Sequence, residues 1–217
     1  MRNHREEVAR ALRLMGELND VIQDTHGNVS CVDDYGYLYI KPSGVPYKDI
    51  HYNSVAVLND EIAQVKGDLK PSVDTVHHKA IYDRWPNIKA ICHTHSPYAT
   101  AYAYNQKPIR CLGTEQADFF GDDVYVMSYS DLNCWGEEAA KYLHIGVKAT
   151  LLHRHGTLTF GETPEQAVKL AAALENCARK NYLAETLFNN DSRVQLDELP
   201  DSEVKKWHAR YYTEYGQ

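Results

Sequence analysis

Between residues 27 and 67 the chain contains four short runs of β-branched and aromatic residues, each bounded by turn-forming residues: GNVSCVD, YGYLYIKPSG, SVAVLND and EIAQVKG. Closely spaced runs of this kind are typical of successive antiparallel strands. Because hairpins come before any alternation of strands and helices, the sequence predicts an α/β fold with a largely antiparallel sheet covered by helices. No repeat or linker interrupts the chain, so we expect a single domain over residues 1–217.

Helical periodicity marks several other segments. A first helix is predicted over residues 3–23 from the apolar stripe Val8, Leu12, Met15, Leu18 and Ile22. A second follows Ser72 and Asp74, its N-cap candidates, and the longest begins at Thr163 with proline next. KAICHTHS predicts a strand followed by a short helix, ATLLHRHGTLTFG a further hairpin, and EVKKWHARYY a last helix.

Composition excludes several classes of protein. The chain has 30 acidic and 23 basic residues, a net charge of −7, and scattered basic residues, so nucleic acid is not expected as a partner. No apolar run approaches the ~20 residues of a membrane span, and the acidic residues of the first helix fit no targeting peptide, so we expect a cytoplasmic protein. Five cysteines without CxxC spacing predict buried small side chains rather than disulfides or a cysteine zinc site.

Two pairs of histidines stand at predicted strand ends. His93 and His95 are two residues apart, which places both side chains on one face of a strand. His153 and His155 repeat this spacing at the end of a neighbouring strand, and the sequence leaves open which of them joins the first pair. Taken alone, such pairs also occur without a metal. His93 and His95 on one strand face nevertheless have the geometry of a two-ligand edge of a metal site.

A carboxylate strengthens the metal interpretation. Asp74 precedes the helix that leads into the first histidine strand, so it can add an oxygen ligand to the imidazoles. Three neutral nitrogens and one carboxylate suit Zn²⁺ better than Mg²⁺ or Ca²⁺, and another divalent transition metal can replace zinc in such a set. His78, one turn after Asp74, fits either a supporting role behind the ligands or a plain helix surface.

Three short turn segments combine small residues with hydroxyls or amides. They are Gly27-Asn28, Lys41-Pro42-Ser43-Gly44 and Pro71-Ser72. Backbone N–H groups in such turns, and at the start of the helix that follows, can bind an anion. Each segment alone also fits an ordinary turn or cap. Together they suggest a phosphorylated substrate.

Six motifs in order, GNVS, KPSG, PSVDT, HTHSPYATAYA, GTEQADFF and HG, together with the terminal YYTEYGQ, closely resemble the class II aldolase/epimerase family. The resemblance runs from about residue 8 to residue 217 and implies a three-layer αβα fold. It also implies a homotetramer with active sites at subunit interfaces. The family's metal ligands fall on Asp74, His93, His95 and His155, the same cluster that the spacing indicates.

The resemblance also assigns the remaining site residues. It places phosphate binding at Gly27, Asn28, Ser43, Gly44 and Ser72, with Lys41 close by. The family's catalytic aspartate and C-terminal tyrosine fall on Asp118 and Tyr215, the tyrosine reaching the site of a neighbouring subunit. Val73 stands where epimerases usually carry serine, so that position keeps its backbone N–H and lacks the hydroxyl.

The activity implied is zinc-dependent epimerisation of L-ribulose 5-phosphate to D-xylulose 5-phosphate, by cleavage and re-addition of a C–C bond. The alternatives are a class II aldolase acting on a substrate such as L-fuculose 1-phosphate, and a decarboxylating relative acting on a sugar-acid phosphate. A non-enzymatic domain like the adducin head is a further alternative. Retention of all four metal-ligand positions argues against that last alternative.

Overall fold

The computed structural model describes residues 3–18, 21–22, 24–128, 134–190 and 196–215, and in these ranges eight strands form one sheet. The strands are β1 (Asn28–Val32), β2 (Leu38–Ile40), β3 (Ala56–Leu58), β4 (Gln64–Lys66), β5 (Ala90–Thr94), β6 (Val126–Met127), β7 (Ala149–Leu152) and β8 (Gly156–Gly161). Their order across the sheet is β4-β3-β2-β1-β5-β8-β7-β6. Neighbours are antiparallel except β6 and β7, so the largely antiparallel sheet is confirmed.

Helices cover both faces of this sheet. They are α1 (His4–Glu17), α2 (Thr75–Arg84), α3 (Pro97–Tyr104), α4 (Thr114–Phe120), α5 (Trp135–Tyr142), α6 (Pro164–Asn190) and α7 (Asp201–Arg210). Short 3₁₀ turns occupy Tyr47–Asp49 and Tyr52–Ser54, and a π-helical turn, Tyr211–Tyr215, follows α7. None of the helices in the described part of the chain combines the length and apolarity that a bilayer span requires.

The alternation of side chains along β1 and β5 divides the core into two layers. Val29 and Cys92 pack on one face with α1 and α6, whereas Ile91 packs on the other face with α2 and α5. Ser30, the neighbour of Val29, also faces α2, where its Oγ lies 2.7 Å from His78 Nδ1. These contacts confirm the predicted three-layer αβα arrangement. His93, two residues after Ile91, therefore points toward the α2 and α5 side.

Two features differ from the sequence prediction. The first helix ends at Glu17 and not at residue 23, because the chain turns at Leu18, whose N–H donates to Met15 O three residues back. Val21 is buried all the same, so its apolar character reflects packing rather than helix. The short helix α4 was absent from the prediction. Its seven residues are too few for a visible apolar period.

The caps and cysteines follow the prediction with one exception. Thr163 Oγ1 accepts the N–H of Gln166 at the start of α6, as an N-cap does. Asp74 holds the N-cap position of α2, but its carboxylate does not cap the helix. No disulfide joins cysteines among the described residues, and four of the five are buried.

Candidate metal centre

The ends of β5 and β8 bring three histidines together. His93 lies on β5, and His95 follows just after its last residue. His155 ends the turn between β7 and β8, next to the first residue of β8. Because β5 and β8 are paired, with His93 opposite Leu158, this turn lies beside the end of β5. Of the second histidine pair, His155 therefore joins His93 and His95, and His153 lies at the other end of the same turn.

The three imidazoles converge through their Nε2 atoms. His93 Nε2 lies 2.9 Å from His95 Nε2 and 3.0 Å from His155 Nε2. All three ligand atoms lie within 4.8 Å of one another. Nitrogens that share one tetrahedral zinc at about 2.0–2.1 Å are about 3.3 Å apart, so the two distances from His93 Nε2 are a few tenths of an ångström shorter. The group therefore fits a divalent metal ion.

Hydrogen bonding fixes which nitrogen of His93 faces the group. His93 Nδ1 lies 2.9 Å from Thr157 O, and since a carbonyl only accepts, Nδ1 carries the proton. The lone pair of His93 is then on Nε2, which points at the other two imidazoles. This is the tautomer that a metal ligand needs, held by the backbone carbonyl behind it.

Gly156 lets the β7–β8 turn pack directly against the histidines. A Cβ atom on Gly156 would lie 2.4 Å from Thr94 O, 2.7 Å from His95 Cδ2 and 3.2 Å from His93 Cε1. No side chain fits there without moving backbone. The HG sequence at residues 155–156 is therefore a packing requirement of the cluster as well as a source of one ligand.

Burial keeps the three imidazoles neutral. Desolvation lowers the pKa of His93 well below its usual value and lowers that of His95 to about 4. Burial also lowers the pKa of His155, and the nearby Asp74 carboxylate partly opposes this shift. Neutral imidazoles have the free lone pairs that ligation requires, so at pH 7 the group is ready to bind a cation.

Asp74 stands beside the histidines without joining the group. Its Oδ2 accepts a 2.6 Å hydrogen bond from Asn28 Nδ2, which also donates to Ser72 Oγ at 3.1 Å. Asn28 is paired with His93 across β1 and β5, so the sheet register brings the amide to the histidine cluster. Asn28 thus links the carboxylate, the Ser72 hydroxyl and the histidines in one polar region. Its Oδ1 is buried and has no partner among the described residues.

The other predicted anion-binding residues surround this region. Gly27 has φ +81°, and a Cβ there would lie 2.7 Å from His93 O, so only glycine permits this close approach. Lys41 is buried, and its Nζ donates to Thr25 O and Pro42 O. Burial lowers the pKa of Lys41 to about 8. A bridge between Pro42 and Pro71 joins the KPSG turn, with the exposed Ser43 and Gly44, to the PSVDT turn.

Asp118 lies in a different part of the chain from the histidines. It is half-buried on α4, and burial raises the pKa of its carboxyl, with Arg210, Glu115 and His208 as its ionisable neighbours. α7 packs on α4, where His208 Nδ1 donates to Ala117 O and Asp118 O at 3.0 and 3.1 Å. Tyr215 is the last residue of the π-helical turn that continues α7. One chain therefore groups Asp118 with its own C-terminal segment.

Several aromatic neighbours of the histidines could not be predicted from the sequence. Trp135 lies 5.5 Å from His93 and 5.6 Å from His155, measured between ring centroids. The exposed His26 lies 5.7 Å from His95, and its only sequence signal is its position before Gly27. His78 is fully buried, so the surface alternative for it is wrong, and burial lowers its pKa to about 3.

Comparisons with known proteins agree with this geometry. The model of the class II aldolase and adducin N-terminal domain matches residues 6–182. L-ribulose-5-phosphate 4-epimerase UlaF of Salmonella paratyphi B is 33% identical over 173 residues, which are 74% of this chain and 76% of that protein. An L-fuculose 1-phosphate aldolase structure superposes with a TM-score of 0.84 at 26% identity and covers 96% of each chain.

A further solved structure is that of YgbL from Klebsiella pneumoniae, described as an aldolase, epimerase or decarboxylase. It has a TM-score of 0.78 at 28% identity, over 94% of this chain and 97% of that one. The two superposed structures extend over nearly the whole chain, and the family model extends over residues 6–182. They include the strands and turns that carry the three histidines.

Proposed function

The chain belongs to the class II aldolase and adducin N-terminal domain family, and on this premise we propose that it is a metal-dependent sugar-phosphate epimerase. Its reaction would convert L-ribulose 5-phosphate to D-xylulose 5-phosphate. The observation that carries the proposal is the convergence of three neutral imidazoles, through Nε2, beside Asn28 and Asp74. The similarity to a 4-epimerase supports the choice of substrate.

His93, His95 and His155 would hold the ion, with Asp74 as a fourth ligand. Three imidazoles favour zinc among the divalent ions that proteins bind. A bound divalent cation supplies positive charge that stabilises the negative charge developing on substrate oxygens when a C–C bond next to a ketone breaks. Asn28 holds the Asp74 carboxylate by its 2.6 Å hydrogen bond and so sets where that charge lies.

Phosphate binding would fall to the joined KPSG and PSVDT turns, with Asn28 holding the Ser72 side chain by its 3.1 Å hydrogen bond. Within the described ranges, the backbone N–H groups of Gly44 and Val73 donate to no protein acceptor. Lys41 adds a buried cation whose hydrogen-bond partners are carbonyl oxygens. The Ser43 and Ser72 hydroxyls complete a set of donors suited to a phosphate dianion. This set of donors supports a phosphorylated substrate, and at position 73 it uses only the backbone N–H, which valine retains.

Asp118 and Tyr215 would move the proton on the sugar. In the forward reaction one of them removes the proton of the C4 hydroxyl while the C3–C4 bond breaks, giving an enediolate and glycolaldehyde phosphate. The aldehyde then turns over, the enediolate carbon attacks its other face, and the second group returns a proton to the C4 oxygen. The raised pKa of Asp118 favours proton uptake by this carboxyl.

In a homotetramer, Asp118 and Tyr215 would act on the substrate that is bound at the histidine group of a neighbouring subunit. The charged neighbours of Asp118 come from α4 and α7, and the groups that act on the three histidines come from elsewhere in the chain. This separation within one chain supports a site that a second copy completes. Docking of α7 on α4 would keep Asp118 and Tyr215 together as one unit that is supplied to the neighbour.

A class II aldolase is the second candidate, because the L-fuculose 1-phosphate aldolase structure superposes on nearly the entire chain. An aldolase must also protonate the enediolate carbon and release both fragments, whereas the epimerase retains them.

Purified protein supplied with zinc is incubated with L-ribulose 5-phosphate and, separately, with L-fuculose 1-phosphate, and products are identified by NMR.

We expect D-xylulose 5-phosphate from the first substrate, loss of activity with a chelator, and its return with zinc. The matched control is His93→Ala, which should be inactive with or without zinc. Release of lactaldehyde and dihydroxyacetone phosphate from the second substrate alone would favour the aldolase. Turnover of L-ribulose 5-phosphate that a chelator leaves unchanged would contradict the metal-dependent reaction.

A further inference from the structure

Trp135 begins α5 and is the largest of the fully buried side chains in the described ranges, with 1% of its surface exposed. Its indole contacts the histidine group from the α5 side. The ring centroids of His93 and His155 lie 5.5 and 5.6 Å from that of Trp135, with interplanar angles of 34° and 36°. The two imidazoles are themselves nearly parallel, at 10°. One indole therefore packs against two candidate ligands in a similar orientation.

The two imidazoles differ in what else holds them. His93 is oriented by its Nδ1 bond to Thr157 O. Within the described part of the chain, His155 has no corresponding bond at Nδ1, and its polar contact is the one with His93 Nε2. The ring torsion of histidine is broad and weakly restrained by its own rotamers, so packing must fix the plane of His155. The indole of Trp135 supplies this packing.

The indole is itself held firmly. The His77 ring stacks on Trp135 at 4.3 Å and 26°. The next residue, Gly136, donates its N–H to His77 Nδ1 at 3.3 Å, and a Cβ there would lie 2.3 Å from His77 Cα. α5 therefore approaches α2 at a point where only glycine fits. This close contact fixes Trp135 relative to the sheet that carries the histidines.

We propose that Trp135 is a positioning residue for the metal centre: it holds the ring planes of His155 and His93 in the orientation that ligation requires. This inference rests on the metal-binding part of the proposed function and goes beyond it. Metal-binding histidines are usually oriented by a hydrogen bond to the second ring nitrogen, and loss of such support typically costs 10- to 100-fold in affinity. For His155, aromatic packing takes the place of that hydrogen bond.

The test compares zinc affinity in three variants, measured by competition with a chromogenic chelator. Trp135→Leu should weaken zinc binding about 10- to 100-fold, and Trp135→Phe should restore most of the affinity because it keeps an aromatic face. The matched control is Trp85→Leu. Trp85 joins the same α2–α5 interface, where its Nε1 donates to Ala140 O at 2.7 Å. This control should lose stability and keep its zinc affinity.

Fluorescence gives an independent readout. In a Trp85→Phe, Trp207→Phe background, Trp135 is the one remaining tryptophan of the chain. Zinc should change its emission and saturate at one equivalent, and adding His155→Ala should remove the change. If Trp135→Leu does not fold, this titration decides, and an unchanged emission overturns the proposal.

These measurements distinguish a failure of the proposed metal-dependent function from a failure of the positioning role of Trp135. If the natural chain binds no zinc, the proposed function fails first. If the natural chain binds zinc and a folded Trp135→Leu binds it equally well, the positioning role is wrong while the metal centre stands. Equal weakening by Trp135→Leu and Trp85→Leu also overturns the role, since it indicates a general loss of packing.

Discussion

Gly156→Ala should damage the metal centre without removing a ligand. The added Cβ would lie 2.4 Å from Thr94 O and 2.7 Å from His95 Cδ2, where ordinary contacts begin at 3.4 Å. The carbonyl must therefore move by about 1 Å, or the turn must move away from β5. Overpacking of this kind costs about 1–3 kcal/mol of unfolding free energy. Because the displaced atoms belong to the histidine cluster, we expect zinc affinity to fall about 10- to 100-fold.

The assay pairs zinc titration with urea unfolding of the metal-free protein. Gly36→Ala is the control, because Gly36 has φ +84° and no atom within 4 Å of the added Cβ. The left-handed backbone costs alanine about 1–2 kcal/mol, so stability falls by a similar amount with zinc affinity unchanged. A folded Gly156→Ala protein with the affinity of the natural chain would refute the packing of the turn against the histidines.

Three further predictions concern proton uptake and assembly. The pKa of Lys41, lowered to about 8, implies that its ammonium is charged below pH 8 and lost above it, so kcat/KM for the sugar phosphate should fall above pH 8 by up to about tenfold per pH unit. Lys41→Met should have a low kcat/KM at every pH. If this variant keeps the decrease above pH 8, Lys41 is not the group that causes the decrease. The pKa of His78 is about 3 in the folded chain and about 6.5 in the unfolded chain, so as the pH falls the unfolded chain binds the proton first. The free energy of unfolding is therefore unaffected by His78 above about pH 6.5 and decreases as the pH falls from 6.5 toward 3. Over this range the free energy of unfolding should fall by about 1.4 kcal/mol per pH unit. Urea unfolding at several pH values should show a smaller pH dependence in His78→Gln. Mixing inactive His95→Ala and Tyr215→Phe subunits should restore part of the activity, because some sites then combine an intact metal set with an intact tyrosine. No recovery after exchange confirmed by native mass spectrometry would place Tyr215 in the site of its own chain.

Local patterns predicted the sheet and the first histidine pair. The runs between residues 27 and 67 carry their own turns, so hairpins follow from neighbouring residues alone. His93 and His95 share a face because a strand alternates with a period of two. The period of two does not indicate which of His153 and His155 joins this pair, because both lie in the turn between β7 and β8 and not on a strand. That choice depends on the path of the turn, with Arg154 at φ +59°.

Contacts between distant segments account for what the sequence did not reveal. α4 is closed by α7, since His208 donates to Ala117 O and Asp118 O, and by Tyr212, whose OH donates to Phe119 O. These donors come from α7 and the turn after it, and they add to the local bond in which the Gly121 N–H donates to Ala117 O. Trp135 is about 40 residues from His93 along the chain, so no spacing rule joins them. Both features require the folded chain.

One divalent ion should bind where the three Nε2 atoms converge. The most direct measurement is anomalous diffraction at the zinc absorption edge from crystals grown with zinc. We expect one strong peak per subunit, about 2.0–2.1 Å from Nε2 of His93, His95 and His155. Zinc bound at His153 with no peak between these three nitrogens, or no bound zinc at all, would contradict it.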